Sequence, residues 1–294
     1  EFGHALLGTI LLFRSGSQAA FDHWEPILAE RPLSPVILRH LIRVKLGTAK
    51  DAEIQAWAKR LRESAPDDPE AQAFACIADL QTKSSETLDL NRRTAELLTK
   101  FPADSGVLTV RAIVLANDKD FSGAMDLLNR AERLEPENYQ TALLKGQLQG
   151  QQGRPEAAAR EFRSGLVTNP FQRDLLVAYT KALRQAKDWG RLINFVGTTQ
   201  DRWEKLGTIN LPVSCHFDAI EALIQQGKAK SAIHVLKGIN SQIPNTAVGP
   251  RLEIAHYLAK AGDLPAARVV VKALLQIDPA NAQAREMLQK LGPG

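Results

Sequence analysis

The stretch Gly153–Pro170, GRPEAAAREFRSGLVTNP, opens on a turn residue, carries small and large apolar residues at helical spacing, and stops on a proline. Shifting the sequence against itself shows that it is one copy of a longer pattern. Pro136 stands 34 residues before Pro170, and Pro102 another 34 before that. In this frame the chain falls into eight units: 1–34, 35–68, 71–104, 105–138, 139–172, 173–206, 213–246 and 248–281, with insertions only at 69–70, 207–212 and 247. Position 32 of each unit reads Pro32, Pro66, Pro102, Pro136, Pro170, Glu204, Pro244 and Pro279.

Other positions follow a packing logic. Position 8 is small in five units (Gly8, Ala78, Ala112, Gly146, Ala255), and so is position 20 (Ala20, Ala124, Ala158, Ala232, Ala267), which lets two antiparallel helices approach closely. Position 24 is large and apolar (Trp24, Leu128, Phe162, Leu236, Val271), as is position 11 (Leu11, Leu115, Leu223, Leu258); these side chains fill the spaces between neighbouring helices. Glycine at position 15 (Gly153, Gly227, Gly262) suits a tight turn between them. The proline at position 32 ends the second helix.

These residues resemble the tetratricopeptide repeat, a 34-residue helix–turn–helix unit, over residues 1–281. The resemblance implies an all-α, right-handed superhelical solenoid of about eight repeats, forming one domain over 1–294. Unit 139–172 matches best, with Gly146, Gly153, Ala158, Phe162 and Pro170 in place. Unit 173–206 departs most, with Thr180, Leu192 and Glu204 where small, small and proline are expected. A capping helix is expected over 282–291, where Ala284, Met287, Leu288 and Leu291 share one face.

Composition agrees with a helical core: 44% of the 294 residues are apolar and 24% charged. The two cysteines, Cys76 and Cys215, are four repeats apart, too far for a disulfide and silent about compartment. Residues Ala5–Phe13, ALLGTILLF, are too short to span a bilayer and lack the flanks of a secretory signal. As the first helix they would present an uncapped apolar face, and the opening EF reads as a cloning scar, so the chain is expected to be a fragment of a longer one. That face would be covered by preceding chain, a partner, or self-association through the N-terminal repeat. The net charge of +4 is uneven: residues 1–150 hold 18 basic and 21 acidic side chains, and 151–294 hold 19 and 12.

A search for chemistry finds none. The histidines His4, His23, His40, His216, His234 and His256 are scattered, no cysteine pair has zinc spacing, and LQGQQGRP lacks the Lys-Ser/Thr of a phosphate loop. No catalytic, cofactor-binding or metal-binding residue is therefore expected, and no cofactor.

The family resemblance implies a concave groove lined by the first helix of each pair, at positions 2, 5, 9, 12 and 13. Those positions include Arg39, Arg43 and Leu46, Asp79 and Lys83, Ile113 and Asn117, and Gln140, Leu143, Gln147 and Gln151. Lys181, Arg184 and Gln185 follow, then Phe217 and Glu221. Amides and guanidinium groups suit the backbone and carboxylates of an extended peptide, with Leu143, Ile113 and Phe217 offering apolar contact. The carboxylate clamp and the asparagine ladder found in some members of the family are missing. A 34-residue period and few aromatics argue against the pentatricopeptide RNA-binding pattern and nucleic acid generally.

The expected function is a non-catalytic protein–protein interaction scaffold that takes a protein or peptide in the groove. The Ala-, Leu-, Arg- and Gln-rich composition points to a bacterial multiprotein assembly, in cytoplasm or periplasm, with membrane contact only through further segments or partners. Two alternatives are the repeat arm of a larger envelope, secretion or polysaccharide-export factor or glycosyltransferase, and an anionic-polymer binder acting through the basic half.

Overall fold

The computed structural model describes residues 2–15, 17–30, 34–45, 51–82, 89–205, 211–244 and 246–292. Among them are seventeen α-helices and no strand. The chain divides into two compact units, Glu1–Leu148 and Gln149–Gly294.

Unit 1 holds α1 (Phe2–Ser15), α2 (Ser17–Glu30), α3 (Pro35–Lys45), α4 (Asp51–Ser64), α5 (Pro69–Gln81), α6 (Leu90–Lys100), α7 (Ser105–Asn117), α8 (Phe121–Leu134) and most of α9 (Tyr139–Gln151). Unit 2 holds α10 (Pro155–Thr168), α11 (Arg173–Gln185), α12 (Trp189–Lys205), α13 (Val213–Gln225), α14 (Ala229–Gln242), α15 (Val248–Lys260), α16 (Leu264–Ile277) and α17 (Ala282–Lys290). The same packing order recurs in each. Odd-numbered helices touch the next odd one, α1 on α3, α3 on α5 and α5 on α7 in unit 1, α11 on α13 and α13 on α15 in unit 2. The even-numbered helices pack between them, α4 against α3 and α5, α14 against α13 and α15.

The turns inside the helix pairs are made alike. In the five sequence units that begin at 105, 139, 173, 213 and 248, position 15 has positive φ: Lys119 (66°), Gly153 (70°), Lys187 (55°), Gly227 (72°) and Gly262 (93°). The amide of the following residue then donates back to position 11, as in Asp120 to Leu115 O (2.9 Å), Lys228 to Leu223 O (2.8 Å) and Asp263 to Leu258 O (2.9 Å). This closes the helix end by the left-handed cap geometry. Glycine adopts it freely, whereas Lys119 and Lys187 adopt it at a steric cost.

Between pairs, prolines 66, 102, 136, 170 and 279 sit second in a turn whose fourth amide donates to the first carbonyl, as in Asp104 to Phe101 O (3.3 Å) and Asn138 to Glu135 O (3.1 Å). The fixed φ of proline suits that place. Asp68, Asp104 and Asn281 finish three such turns by accepting from the first amides of α5, α7 and α17. Where Glu204 replaces the proline, α12 runs on to 17 residues, against 14 for α8, α10, α14 and α16.

The small and large positions meet in the core. Ala20, Ala124, Ala158, Ala232 and Ala267 are all buried, as are Trp24, Leu128, Phe162, Leu236 and Val271. A Cβ added to Gly8 would overlap the Trp24 indole, whose Nε1 donates to His4 O (3.1 Å). In unit 2, Ala284 of α17 and Leu291 just after it are buried, with Met287 and Leu288 packed against the same core. Leu6, Leu7 and Ile10 of α1 stay 64%, 46% and 41% exposed.

Candidate functional site

In unit 2 the outward faces of α11, α13 and α15 carry a ladder of charged and aromatic side chains. Its anchor is Asp218 on α13, which accepts from Thr180 Oγ1 (2.9 Å) and pairs with Arg184 Nε (3.0 Å), both on α11. Thr180 therefore replaces the usual small residue at position 8 to hold a carboxylate of the next repeat. One turn along α13, Glu221 accepts from Lys260 of α15 (2.6 Å) and from Gln225 (2.7 Å). The Phe217 and Tyr257 rings stack at 5.6 Å between these two pairs of helices, and the Lys260 ammonium lies 5.9 Å from the Tyr257 ring centre. Around them Lys181, Gln185, Glu253 and His256 are exposed.

Burial and pairing pull these groups in different directions. Burial pushes the Asp218 carboxyl upward, against the lowering effect of Thr180 and Arg184. Burial also raises Glu221, but its bonds from Lys260 and Gln225 outweigh this and leave it below the usual carboxylate range. Burial raises the Tyr257 phenol. The surface carries a cation on α11, a carboxylate on α13, and both signs on α15.

The other sequence-chosen residues fall in several places. Lys181 is exposed and Arg184 is half-buried against Asp218. Asn117, Gln140, Gln147 and Gln151 are exposed and Leu143 is partly buried, on α7 and α9. Arg39 of α3 pairs with Asp68 and Glu70, whose carboxylates sit at the start of α5. Arg43 lies in α3 with a side chain outside the described residues, as do Leu46 and Lys83 entirely. Two expected contact residues are placed otherwise. Phe217 is only 6% exposed, because its ring closes the seam between α13 and α15 and belongs to the core of unit 2. Asp79 is buried between Arg62 Nη1 (2.8 Å) and Arg93 Nη1 (3.0 Å), fastening α5 to α4 and α6.

Asp218, Glu253, His256, Tyr257 and Lys260 were not among the residues expected from sequence. Positions 9 and 13 of the unit starting at 248 are His256 and Lys260, so the same register reaches them; Asp218 and Tyr257 lie outside those positions. Among the described residues no three His, Cys, Asp or Glu side chains cluster as a metal ion would need, and no helix is long and apolar enough to cross a membrane.

No protein-family model matches this sequence, and no curated protein matches it. Solved structures do. The chain is similar to the Cut9–Hcn1 hetero-tetramer of the APC/C, with TM-score 0.56 and 16% identity over 99% of this chain and 55% of that one. Yeast Tom70 gives TM-score 0.62 and 12% identity over 94% and 58%. A thermophilic tetratricopeptide-repeat protein of Thermus thermophilus gives 0.52 and 22% over 62% and 97%. The chain thus spans about half the length of the Cut9 chain. The fold is an all-α helical solenoid of the tetratricopeptide-repeat kind.

Proposed function

We propose that this tetratricopeptide-repeat chain is a non-catalytic scaffold that binds an extended segment of a partner protein along the exposed faces of its odd-numbered helices. The observation that carries the reading is the ladder on α11, α13 and α15. Lys181, Arg184, Glu221 and Lys260 hold charges of both signs at successive helices, with Tyr257 between them. Such a surface can pair with side chains of an extended peptide while the exposed Gln185 serves its backbone. In unit 1, Arg39, Arg43, Lys83, Asn117, Gln140, Leu143 and Gln147 are the proposed counterparts, and Gln151 joins them in unit 2. The proposed domain is a single solenoid over 1–294, with eight repeats within 1–281 and a capping helix over 282–291, acting within a bacterial multiprotein assembly.

The Cut9–Hcn1 structure, by its description, contains a protein partner, which supports a protein ligand here. A second reading is that the chain is the repeat arm of a larger envelope, secretion or polysaccharide-export factor or glycosyltransferase.

A photo-crosslinking amino acid at Lys181 or Gln185, compared with one at exposed Val167 on α10, tests the proposal in cells of the source organism. A small set of proteins captured from the first two positions at both low and high salt is the expected result. Equal capture from all three positions, or capture only of polymer lost at high salt, would overturn it.

A further inference from the structure

The open cleft between α16 and α17, about 550 Å³, gathers Arg268, Lys272 and Arg285 with Leu275 and Leu288. None of its lining residues is acidic. Arg268 and Lys272 lie one turn apart on α16, a helix without an acidic residue along its 14 positions, and Arg285 projects from the first turns of α17. Arg268 is held by backbone carbonyls, donating from Nε to Gly292 O (3.1 Å) and from Nη2 to Leu291 O (2.7 Å). Those bonds fix the guanidinium without neutralising it, and leave the rest of its N–H donors for another acceptor. Lys272 and Arg285 are exposed and have no ion-pair partner among the described residues.

The acids of this region are occupied elsewhere. Glu286 pairs with Lys290 on the other flank of α17 (2.6 Å), Asp263 pairs with Lys237 (3.2 Å), and Asp278 accepts from Ala280 N and Asn281 Nδ2 within its own turn. Among the described residues, three like charges therefore converge in the lining without a carboxylate, an arrangement that favours an anionic ligand. Beside them in the lining are the half-buried Leu275 and Leu288.

We propose that this cleft binds an acidic segment of a partner protein that also carries a large apolar side chain. It is a second surface, separate in its residues from the ladder on α11, α13 and α15, and does not depend on that reading. The cations would pair with carboxylates and exclude basic partners, while Leu275 and Leu288 would take the apolar side chain. Aromatic platforms for stacked bases are missing from the lining, and three cations fall below the cluster of about 4–8 with which proteins recognise anionic membranes.

The test titrates the full chain into a short fluorescein-labelled peptide of Glu-Glu-Leu repeats and reads anisotropy. Binding should weaken roughly tenfold in the double variant Lys272→Glu with Arg285→Glu, since reversing two exposed charges turns two attractions into repulsions. Both side chains are exposed, so circular dichroism should be unchanged; Arg268 is left alone because it holds the C-terminal segment. A second double variant, Lys228→Glu with Lys230→Glu, carries the same charge change elsewhere in unit 2 and should bind like the parent. No binding of the peptide, or equal weakening in both double variants, would overturn the proposal. So would equal affinity for polyglutamate without leucine, or tighter binding to oligodeoxythymidylate or to phosphatidylserine vesicles.

Discussion

Replacing Gly8 with alanine sets two opposed effects against each other. In an ordinary helix the change stabilises by about 1 kcal/mol, because glycine loses more backbone entropy on folding. At Gly8 the new methyl group would overlap the Trp24 indole, a side chain with no exposed surface. Trp24 can move only by giving up its bond to His4 O (3.1 Å) and its stacking on His40, where the ring centres are 5.1 Å apart. Overpacking of this kind costs about 1–3 kcal/mol, and the lost hydrogen bond about 1 kcal/mol. The net expectation is destabilisation of unit 1 by about 1–3 kcal/mol. Gly197, exposed in the middle of α12 with open space where its Cβ would be, is the comparison: Gly197→Ala should stabilise by up to about 1 kcal/mol. Repeat arrays need not unfold in one step, so the assay is amide hydrogen exchange resolved by helix, with tryptophan fluorescence during urea unfolding as a second readout. If Gly8→Ala slowed exchange in α1 and α2 as Gly197→Ala does in α12, the close approach at position 8 would not be what constrains that residue.

Lys187→Gly should stabilise unit 2 by about 0.5–1 kcal/mol, since Lys187 has φ 55° at a turn that three other repeats close with glycine; a lower thermal midpoint would contradict this. Asp79→Ala should destabilise unit 1 by about 2–4 kcal/mol, by taking from Arg62 and Arg93 the carboxylate they share, and urea unfolding followed by circular dichroism reads the loss. Burial pushes the Cys76 and Cys215 thiols up to about 11, so at pH 8 roughly one in a thousand is thiolate, and iodoacetamide should label both only after denaturant is added. The Glu221 carboxyl is lower in the folded chain than in the unfolded one, so its contribution is present above the unfolded carboxylate range and lost as pH falls through the folded value. Glu221→Gln should therefore flatten the acid limb of a melting-temperature profile, and an unchanged limb would count against the Lys260 pairing.

Periodicity made most of the fold legible. A helix pair has to place small residues where backbones meet and large ones between helices, so the close approach of Gly8 to Trp24, and the burial of Ala158 and Phe162 in another copy, follow from spacing. The missing proline at Glu204 marked its unit as irregular in sequence, and the structure adds the consequence, a helix α12 that continues to Lys205. The candidate site was less legible, because a repeat position states which way a side chain faces within its own helix and not what the adjacent repeat sets against it. Asp79 and Phe217 occupy groove-like positions, yet two arginines enclose the first and Tyr257 covers the second. Arg268 and Arg285 belong to different helices, and only the packing of α17 on α16 brings them to one cleft. The sequence by itself determined the repeat, its turns and its core, since these depend on spacing within about one 34-residue unit. The tertiary structure alone decided which charges are neutralised and which remain available, since that depends on distances between side chains of different repeats.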